Sequence, residues 1–301
     1  MKYEDIAQDM KGLLGAHADA PPSRRAALRA ALGAGLGVGY ASVAGPVMAQ
    51  TAIKTSAEGL TAGEVSIDVH GFKLPAYRAA PAGKKNLPVV LVISEIFGVH
   101  EYIADTCRRL ARAGYMAIAP DLFVRQGDPM AYGEMAKLMS EVIAKVPDAQ
   151  AMGDLDAAVQ WASANGGDVS KLAITGFCWG GRITWLYAAH GPVKAAVAWY
   201  GRLQGNKNEL QPTYPIDLVA KLKAPVLGLY GGKDTGIPQE SVDAMKAALK
   251  SGSAAAKASE FVIYPDAPHA FHADYRPSYR EQAAQDGWAH MLSWFQKQGV
   301  A

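Results

Sequence analysis

The hexapeptide Gly176-Phe177-Cys178-Trp179-Gly180-Gly181 lies between a short apolar run, residues 171–175, and an amphipathic segment, residues 182–190. This order predicts a strand, a sharp turn and a helix, which is the setting of a nucleophile elbow with Cys178 at its tip. Small residues two positions before and after Cys178 let the backbone turn tightly and lift the side chain above the sheet edge. Because such a glycine pattern alone is common, the interpretation depends on further matches along the chain.

Apolar runs alternate with helical patterns through the rest of the chain. Continuous runs rich in Val, Ile and Leu are typical of a parallel sheet that is buried on both faces. The alternation predicts an α/β fold with an open, doubly wound, mostly parallel sheet and helices on both faces. The predicted strands are residues 87–94, 115–119, 171–175, 195–200, 225–230 and 260–264, and the predicted helices are approximately residues 101–113, 148–164, 181–190, 238–250 and 278–298.

Two segments depart from this alternation. Residues 64–80 contain two alternating polar and apolar runs, which predict an N-terminal antiparallel edge hairpin, and Pro75 in the second run suits an edge strand. Residues 121–147 form an unusually long connection with a helical pattern over residues 131–146. Long inserts above the carboxyl ends of strands commonly wall a pocket, so we expect a substrate pocket here.

Residues 1–49 have the pattern of an export leader rather than of a folded domain. Arg24-Arg25 precedes a weakly hydrophobic Ala/Gly/Leu/Val run that ends in small residues, which predicts a twin-arginine-type signal peptide. This predicts a periplasmic domain of residues 50–301 with no stable membrane span after processing. An uncleaved leader would instead tether the protein to the membrane. The long stretch before Arg24 leaves open an extended leader or a later start codon.

Composition sets further limits. The chain has 301 residues, of which 50 % are hydrophobic, and a formal net charge of +2, so it favours one large domain and gives no reason to expect a nucleic-acid partner. No Cys or His spacing typical of a metal site occurs, and we expect neither metal nor cofactor. Cys107 lies in a helical pattern and is interpreted as a small apolar residue on the inner face. A disulfide to Cys178 would consume the predicted nucleophile, so both are expected to be free. The oligomeric state is not indicated.

Two downstream residues complete a catalytic order. Acyl transfer needs a nucleophile, a base and a group that orients the base, and in a nucleophile-elbow architecture these follow as nucleophile, acid, histidine. Asp234 follows a glycine-rich strand end, and His269 follows the last predicted strand. Asp234 could alone be a helix N-cap and His269 a surface histidine, but their order after Cys178 favours a Cys-His-Asp triad. All three lie just beyond the carboxyl ends of strands, where open α/β sheets bind ligands.

Six motifs carry a family resemblance. They are Ser94-Glu95-Ile96-Phe97-Gly98, Ala119-Pro120-Asp121-Leu122, the hexapeptide 176–181, Gly231-Gly232-Lys233-Asp234, His269-Ala270-Phe271 and Tyr275-Arg276-Pro277-Ser278-Tyr279. Over about residues 64–299 the chain resembles the dienelactone hydrolase (carboxymethylenebutenolidase) family of α/β-hydrolases. The resemblance implies an α/β-hydrolase fold and the hydrolysis of a small-molecule ester or lactone.

The resemblance also implies roles for the loop after the central strand. In that family the acid that matches Glu95 lies beside the nucleophilic thiol, so Cys178 would rest as a neutral thiol. Substrate would displace Glu95, which would take the thiol proton, and the thiolate would turn towards His269. The oxyanion hole would be the backbone N–H groups of Ile96 and Trp179. The alternative for Glu95 is a solvated loop carboxylate.

The predicted chemistry is thiolate attack on a carbonyl, followed by hydrolysis of the thioester by water that His269 activates, with Asp234 fixing the imidazole tautomer. Thiolate is itself a good leaving group and expels a poor alkoxide badly, which favours activated esters and above all enol lactones. Three alternatives stay open: a broader esterase, a thioesterase or peptidase, and a ligand-binding protein without turnover.

Substrate recognition is the least determined feature. The family's substrate carries a carboxylate that arginines hold, and the candidates here are Arg125 in the long insert and Arg276 after the catalytic histidine. Arg276 could instead cap the last helix or pair with Asp274. His272 lies close enough in sequence to be a candidate for substrate contact.

Overall fold

The computed structural model describes residues 52–301. The leader predicted for residues 1–49 lies outside the described residues and stays a prediction. Among residues 52–301, no helix combines the length and the apolar character needed to cross a membrane.

Within the described range, the strands are β1 (Leu60–Val69), β2 (Phe72–Pro81), β3 (Leu87–Ile93), β4 (Met116–Pro120), β5 (Gly167–Phe177), β6 (Ala195–Trp199), β7 (Val226–Gly231) and β8 (Glu260–Tyr264). The helices are α1 (Glu101–Arg112), α2 (Met135–Glu141), α3 (Asp148–Ala164), α4 (Trp179–His190), α5 (Gln239–Leu249), α6 (Ala254–Lys257) and α7 (Glu281–Lys297).

The strands form one sheet in the order β1-β2-β4-β3-β5-β6-β7-β8. The six strands from β4 to β8 in this order run parallel, whereas β2 pairs antiparallel with both β1 and β4. Every residue of β4 and β6 is buried, so both faces of the sheet centre are covered. The predicted α/β class and its mostly parallel sheet are confirmed.

The strand order reverses between β3 and β5, because the chain passes from β3 to β4 on one side and then returns to place β5 on the other. At such a switch point the connections that leave the carboxyl ends of the two neighbouring strands run in opposite directions. A crevice that can bind ligands remains between them. The loop after β3 and the elbow after β5 therefore meet at the position where an α/β sheet most readily binds a ligand.

The predicted hairpin is present, but the expectation that Pro75 lies on an edge strand is wrong. The edge strand is β1, and Pro75 lies in β2, between β1 and β4. The β2–β4 pairing begins only at Ala76, so the missing N–H of Pro75 falls just outside that ladder. Its carbonyl still accepts a hydrogen bond from the backbone N–H of Asp121, 2.9 Å away.

The continuous helix predicted over residues 131–146 is also wrong. The segment contains a 3₁₀ turn (Pro129–Ala131), the short helix α2, and a second 3₁₀ turn (Ile143–Lys145). The Asp128 carboxylate accepts a hydrogen bond from the backbone N–H of Met130 and so caps a separate first turn. Extended backbone at Tyr132 and Glu134 then separates this turn from α2.

Candidate active site

The chain turns sharply at Cys178, between β5 and α4. Cys178 has φ 54° and ψ −112°, a region that residues with side chains rarely adopt. Holding such a backbone costs about 1–3 kcal/mol and needs support from the surrounding structure. Part of that support is the hydrogen bond from the Cys178 backbone N–H to the carbonyl of Trp199, at 3.0 Å. The turn has the shape that the glycine-flanked hexapeptide predicts.

The glycines of the elbow are required by close backbone contacts. A Cβ atom on Gly180 would lie 2.4 Å from the carbonyl oxygen of Ile93 and 2.6 Å from that of Ser94. A Cβ atom on Gly176 would lie 2.3 Å from the carbonyl oxygen of Gly180. Only residues without side chains let α4 begin this close to the end of β3, which brings the thiol beside the loop after β3.

Gly180→Ala is expected to lower the free energy of unfolding by about 1–3 kcal/mol, because the new methyl group meets backbone atoms that cannot move aside. Gly153→Ala is the matched control. Gly153 is exposed within α3, a Cβ there meets nothing within 4 Å, and alanine should stabilise the helix by about 0.5–1 kcal/mol. Urea denaturation of both variants measures the difference. Equal stability of the two variants would contradict the close approach at Gly180.

His269 and Asp234 form a direct pair at the ends of β8 and β7. The Nδ1 atom of His269 lies 2.6 Å from Oδ2 of Asp234. The other carboxylate oxygen, Oδ1, accepts hydrogen bonds from the backbone N–H groups of Gly236 (2.8 Å) and Ile237 (3.1 Å). The N-cap of α5 is Pro238, so Asp234 is not that helix's cap. With both oxygens engaged and only 5 % exposure, Asp234 holds the imidazole in one orientation.

The electrostatics of His269 link it to Cys178. Burial disfavours the imidazolium form, but the negative charges of Cys178 and Asp234 outweigh this and raise the pKa of His269 to about 10. The Nε2 atom of His269 is buried. The ring of Tyr200 packs edge-on against the imidazole at 5.1 Å. A positive imidazolium beside the sulfur would stabilise a thiolate at the elbow.

Glu95 lies level with Cys178 across the switch point. The register pairs Ile93 with Gly176, and a Cβ atom on Gly180 would lie 2.6 Å from the carbonyl oxygen of Ser94, so the residue before Glu95 contacts the elbow. Its side chain is fully buried, and the alternative of a solvated loop carboxylate is therefore wrong. Oε1 accepts a hydrogen bond from Arg276 at 3.1 Å, and Oε2 accepts one from the Tyr275 hydroxyl at 2.6 Å.

These contacts decide between the alternatives for Arg276. Its guanidinium pairs with Glu95, whereas Asp274 pairs with Arg109 of α1, so the suggested pairing of Arg276 with Asp274 is wrong. Nor does Arg276 cap the last helix, because the N-cap of α7 is Arg280. The ion pair with Glu95 holds Arg276 against the loop after β3.

The predicted oxyanion donors are on the two sides of the same crevice. Trp179 is the first residue of α4, so its backbone N–H has no partner within the helix. Ile96 follows Glu95 in the loop after β3. Neither N–H donates a hydrogen bond to another described residue. Both are available to an oxygen of a bound ligand.

The structure holds Arg125 and His272 in other contacts. Arg125 makes a two-pronged ion pair with Asp154 (2.6 and 2.9 Å) and stacks on the ring of Phe72. His272 is 3 % exposed, and its Nδ1 lies 2.6 Å from the hydroxyl of Tyr102. Burial lowers the pKa of His272 well below its ordinary value, so it packs as a neutral ring beneath the site.

Sequence reasoning missed Tyr275, the second donor to Glu95. The residue was visible as the first member of a motif, directly before Arg276. No spacing rule links it to Glu95, because the two residues are 180 positions apart. Only the folded structure reveals the contact.

Comparisons with known proteins show the family to which this chain belongs. The model of the dienelactone hydrolase family matches residues 74–299. A Methylorubrum extorquens protein named "Putative carboxymethylenebutenolidase" is 58 % identical over 265 residues, which cover 87 % of this chain and 90 % of that protein. A Bradyrhizobium protein named "Probable 2-oxo-3-(5-oxofuran-2-ylidene)propanoate lactonase" is 32 % identical over 231 residues, covering 76 % of this chain and 91 % of that protein.

A solved structure shows the same fold. The crystal structure of a protein described as a "Putative Dienelactone Hydrolase" from Klebsiella pneumoniae is 56 % identical, with a TM-score of 0.76. The match covers 79 % of this chain and 99 % of that chain.

Proposed function

This chain belongs to the dienelactone hydrolase family of carboxylic ester hydrolases, and from that premise we propose that it cleaves activated esters, above all enol lactones, through a thioester on Cys178. The observation that carries the proposal is the strained turn at Cys178, which contacts the loop bearing the buried Glu95 and lies close enough to His269 to shift the pKa of its imidazole. A nucleophile, a base, an orienting acid and a second acid thus meet at one crevice.

The reaction begins with the thiol. A free thiol is only a few per cent ionised at neutral pH, so the sulfur needs a proton acceptor. Glu95 supplies it: when the Glu95–Arg276 pair opens, the carboxylate takes the proton of Cys178. The resulting thiolate is stabilised by the imidazolium of His269, whose pKa of about 10 reflects the adjacent negative charges.

Thiolate attack on the ester carbon forms the carbon–sulfur bond and moves an electron pair onto the carbonyl oxygen. The N–H groups of Ile96 and Trp179 receive this oxyanion, and one such donor typically contributes about 3–4 kcal/mol to the transition state. Collapse of the intermediate breaks the carbon–oxygen bond of the ester. The leaving group departs as an enolate and takes the Nε2 proton of the His269 imidazolium, which gives the enol and then the ketone and leaves His269 neutral.

Water then completes the cycle. Neutral His269 takes a proton from water as the hydroxide attacks the thioester carbon, and Asp234 keeps the other ring nitrogen protonated. Thiolate leaves, the carboxylic acid product is released, and Glu95 returns its proton to the sulfur of Cys178. Since sulfur leaves more readily than a simple alkoxide, the first step favours substrates whose leaving oxygen is stabilised.

The proposed substrate class is an enol lactone that also carries a free carboxylate. Arg276 is buried and already holds a carboxylate, that of Glu95, so a substrate carboxylate would compete for the same guanidinium. This competition would release Glu95 at the moment of binding and so couple recognition to activation of the thiol. The Bradyrhizobium relative, named as a lactonase of a propanoate, supports the choice.

Arg276→Gln is expected to lower kcat/KM for a carboxylate-bearing enol lactone about 10- to 100-fold more than for a neutral p-nitrophenyl ester, because one charge-assisted contact to the substrate is lost. Steady-state kinetics of both substrates provide the ratio. Arg125→Gln is the matched control, since it removes the same charge from the Asp154 pair and should leave the ratio unchanged. The wild-type enzyme is also assayed with an acyl thioester and with a short peptide, the substrates of the alternative enzyme classes.

A preference for the thioester or the peptide over the lactone would overturn the proposed class. Equal losses on charged and neutral substrates in Arg276→Gln would remove Arg276 from substrate recognition while leaving the thiol chemistry intact.

A further inference from the structure

Two consecutive residues hold the Glu95 carboxylate, one oxygen each. Arg276 donates to Oε1 and Tyr275 donates to Oε2, with distances of 3.1 and 2.6 Å. Glu95 is fully buried, and Tyr275 is only 5 % exposed. A buried carboxylate is stable only while its oxygens have hydrogen-bond partners, so both donors contribute to keeping it there.

The two donors differ in what a charged substrate can do to them. Arg276 carries a positive charge, and an incoming carboxylate can draw it away from Glu95. Tyr275 carries none, and burial followed by the neighbouring charge of Glu95 raises the pKa of its hydroxyl well above the ordinary value. It therefore remains a protonated, neutral donor while Arg276 changes partner.

The position of Tyr275 is fixed from two sides. Its ring packs edge-on against His100 at 4.9 Å and is tilted against Tyr102 at 5.3 Å. The preceding residue, Asp274, forms an ion pair with Arg109 of α1 and is buried there. The Tyr275 side chain is thus held in place by aromatic contacts of its ring and by the ion pair that fixes the preceding residue to α1. None of these contacts involves a substrate.

We propose that Tyr275 is a positioning residue that keeps the Glu95 carboxylate beside Cys178 when Arg276 turns to the substrate. In this role Tyr275 acts through Glu95, to which its hydroxyl donates a hydrogen bond. The inference rests on the proposed role of Glu95 as acceptor of the thiol proton. Without the Tyr275 contact, the released carboxylate would have no fixed orientation at the moment when it must receive that proton.

Tyr275→Phe is expected to lower kcat about 10- to 100-fold, the range for loss of one hydrogen bond to a charged group, with little change in KM. The loss should be similar for the carboxylate-bearing lactone and the neutral ester, unlike that of Arg276→Gln. Tyr279→Phe is the control: it removes a hydroxyl from the same loop, four residues on and half-buried, and should retain wild-type kcat.

A double-mutant cycle separates positioning from a merely structural role. In a Glu95→Gln background the Tyr275→Phe substitution should have almost no further effect on the rate of acylation, because the residue through which it acts is already impaired. The cycle is measured as single-turnover acylation by p-nitrophenyl acetate, whose good leaving group keeps slow variants measurable. Thermal unfolding of each variant checks that the fold is retained.

An unchanged kcat in Tyr275→Phe, or an equal loss with and without Glu95, would overturn the positioning role. Neither outcome would affect the proposed function, which fails instead if hydrolysis persists without the Cys178 thiol. Should Tyr275→Phe not fold, Asp274→Asn, which loosens the same loop from α1, should show the same dependence on Glu95. Independence from Glu95 there would likewise overturn the proposal.

Discussion

Cys178→Ala is expected to lower kcat for enol-lactone hydrolysis by about five to six orders of magnitude, the range seen when a covalent nucleophile is removed from an intact site. The substitution leaves the His269–Asp234 pair and the backbone donors in place but removes the atom that forms the acyl-enzyme. Steady-state rates with an enol lactone and a p-nitrophenyl ester test this directly.

Cys107→Ala is the matched control for this prediction. Cys107 is the second free thiol, fully buried in α1, where burial raises its pKa far above the range in which it could act as a thiolate. It should retain wild-type kcat. Mass spectrometry of the enzyme quenched with a slow ester should place one acyl group on the peptide that contains Cys178. Undiminished turnover in Cys178→Ala would remove the thiol from the mechanism.

Most of the fold follows from local patterns that tertiary contacts do not override. Parallel strands buried on both faces leave continuous apolar runs, and those runs predict β3 to β8 with ends displaced by a few residues. Helix α3 and strand β8 have the predicted bounds. The three residues of the candidate triad are also predictable, because each follows a strand whose carboxyl end must lie at the same edge of the sheet.

The errors arise where a neighbouring element decides the outcome. The local sequence around Pro75 predicts an edge strand. The pairing of β2 with β4 starts one residue later, however, so Pro75 fits into a strand inside the sheet. The insert keeps a helical period of apolar side chains, but the Asp128 cap and extended backbone around Gly133 divide it. The β2–β4 register leaves no mark in the local sequence, whereas Asp128 before Pro129 is a local helix-start signal that the apolar periodicity alone overlooks.

The surroundings of Glu95 could be predicted from the sequence only in part. Glu95 is recognisable from its motif, but its partners Tyr275 and Arg276 lie 180 and 181 residues away. Their approach depends on the long segment after β8, which reaches from the edge of the sheet across to the loop after β3. In sequence, Arg276 has Asp274 as its nearest opposite charge, and only the competing ion pair of Asp274 with Arg109 explains why that pairing does not form.

Asp234→Asn is expected to lower kcat about 10⁴-fold while leaving the fold intact, because the amide forces the wrong tautomer on His269. Oδ1 of Asp234 accepts two backbone N–H groups, from Gly236 and Ile237, and an amide must keep its oxygen towards both. Its NH₂ group then faces Nδ1 of His269 and leaves the ring proton on Nε2. That nitrogen can no longer take a proton from water.

Loss of the Asp234 charge has a second consequence. Because that charge, together with the charge of Cys178, raises the pKa of His269 to about 10, the variant should also show a lower imidazole pKa in a histidine NMR titration. Asp266→Asn is the control: it removes the same charge from the residue directly before Ala267-Pro268, in an exposed pair with Lys233, and should change kcat less than about twofold. If Asp234→Asn retained kcat within tenfold of wild type, His269 would not depend on this carboxylate for its tautomer, and the thioester would need another base for its hydrolysis.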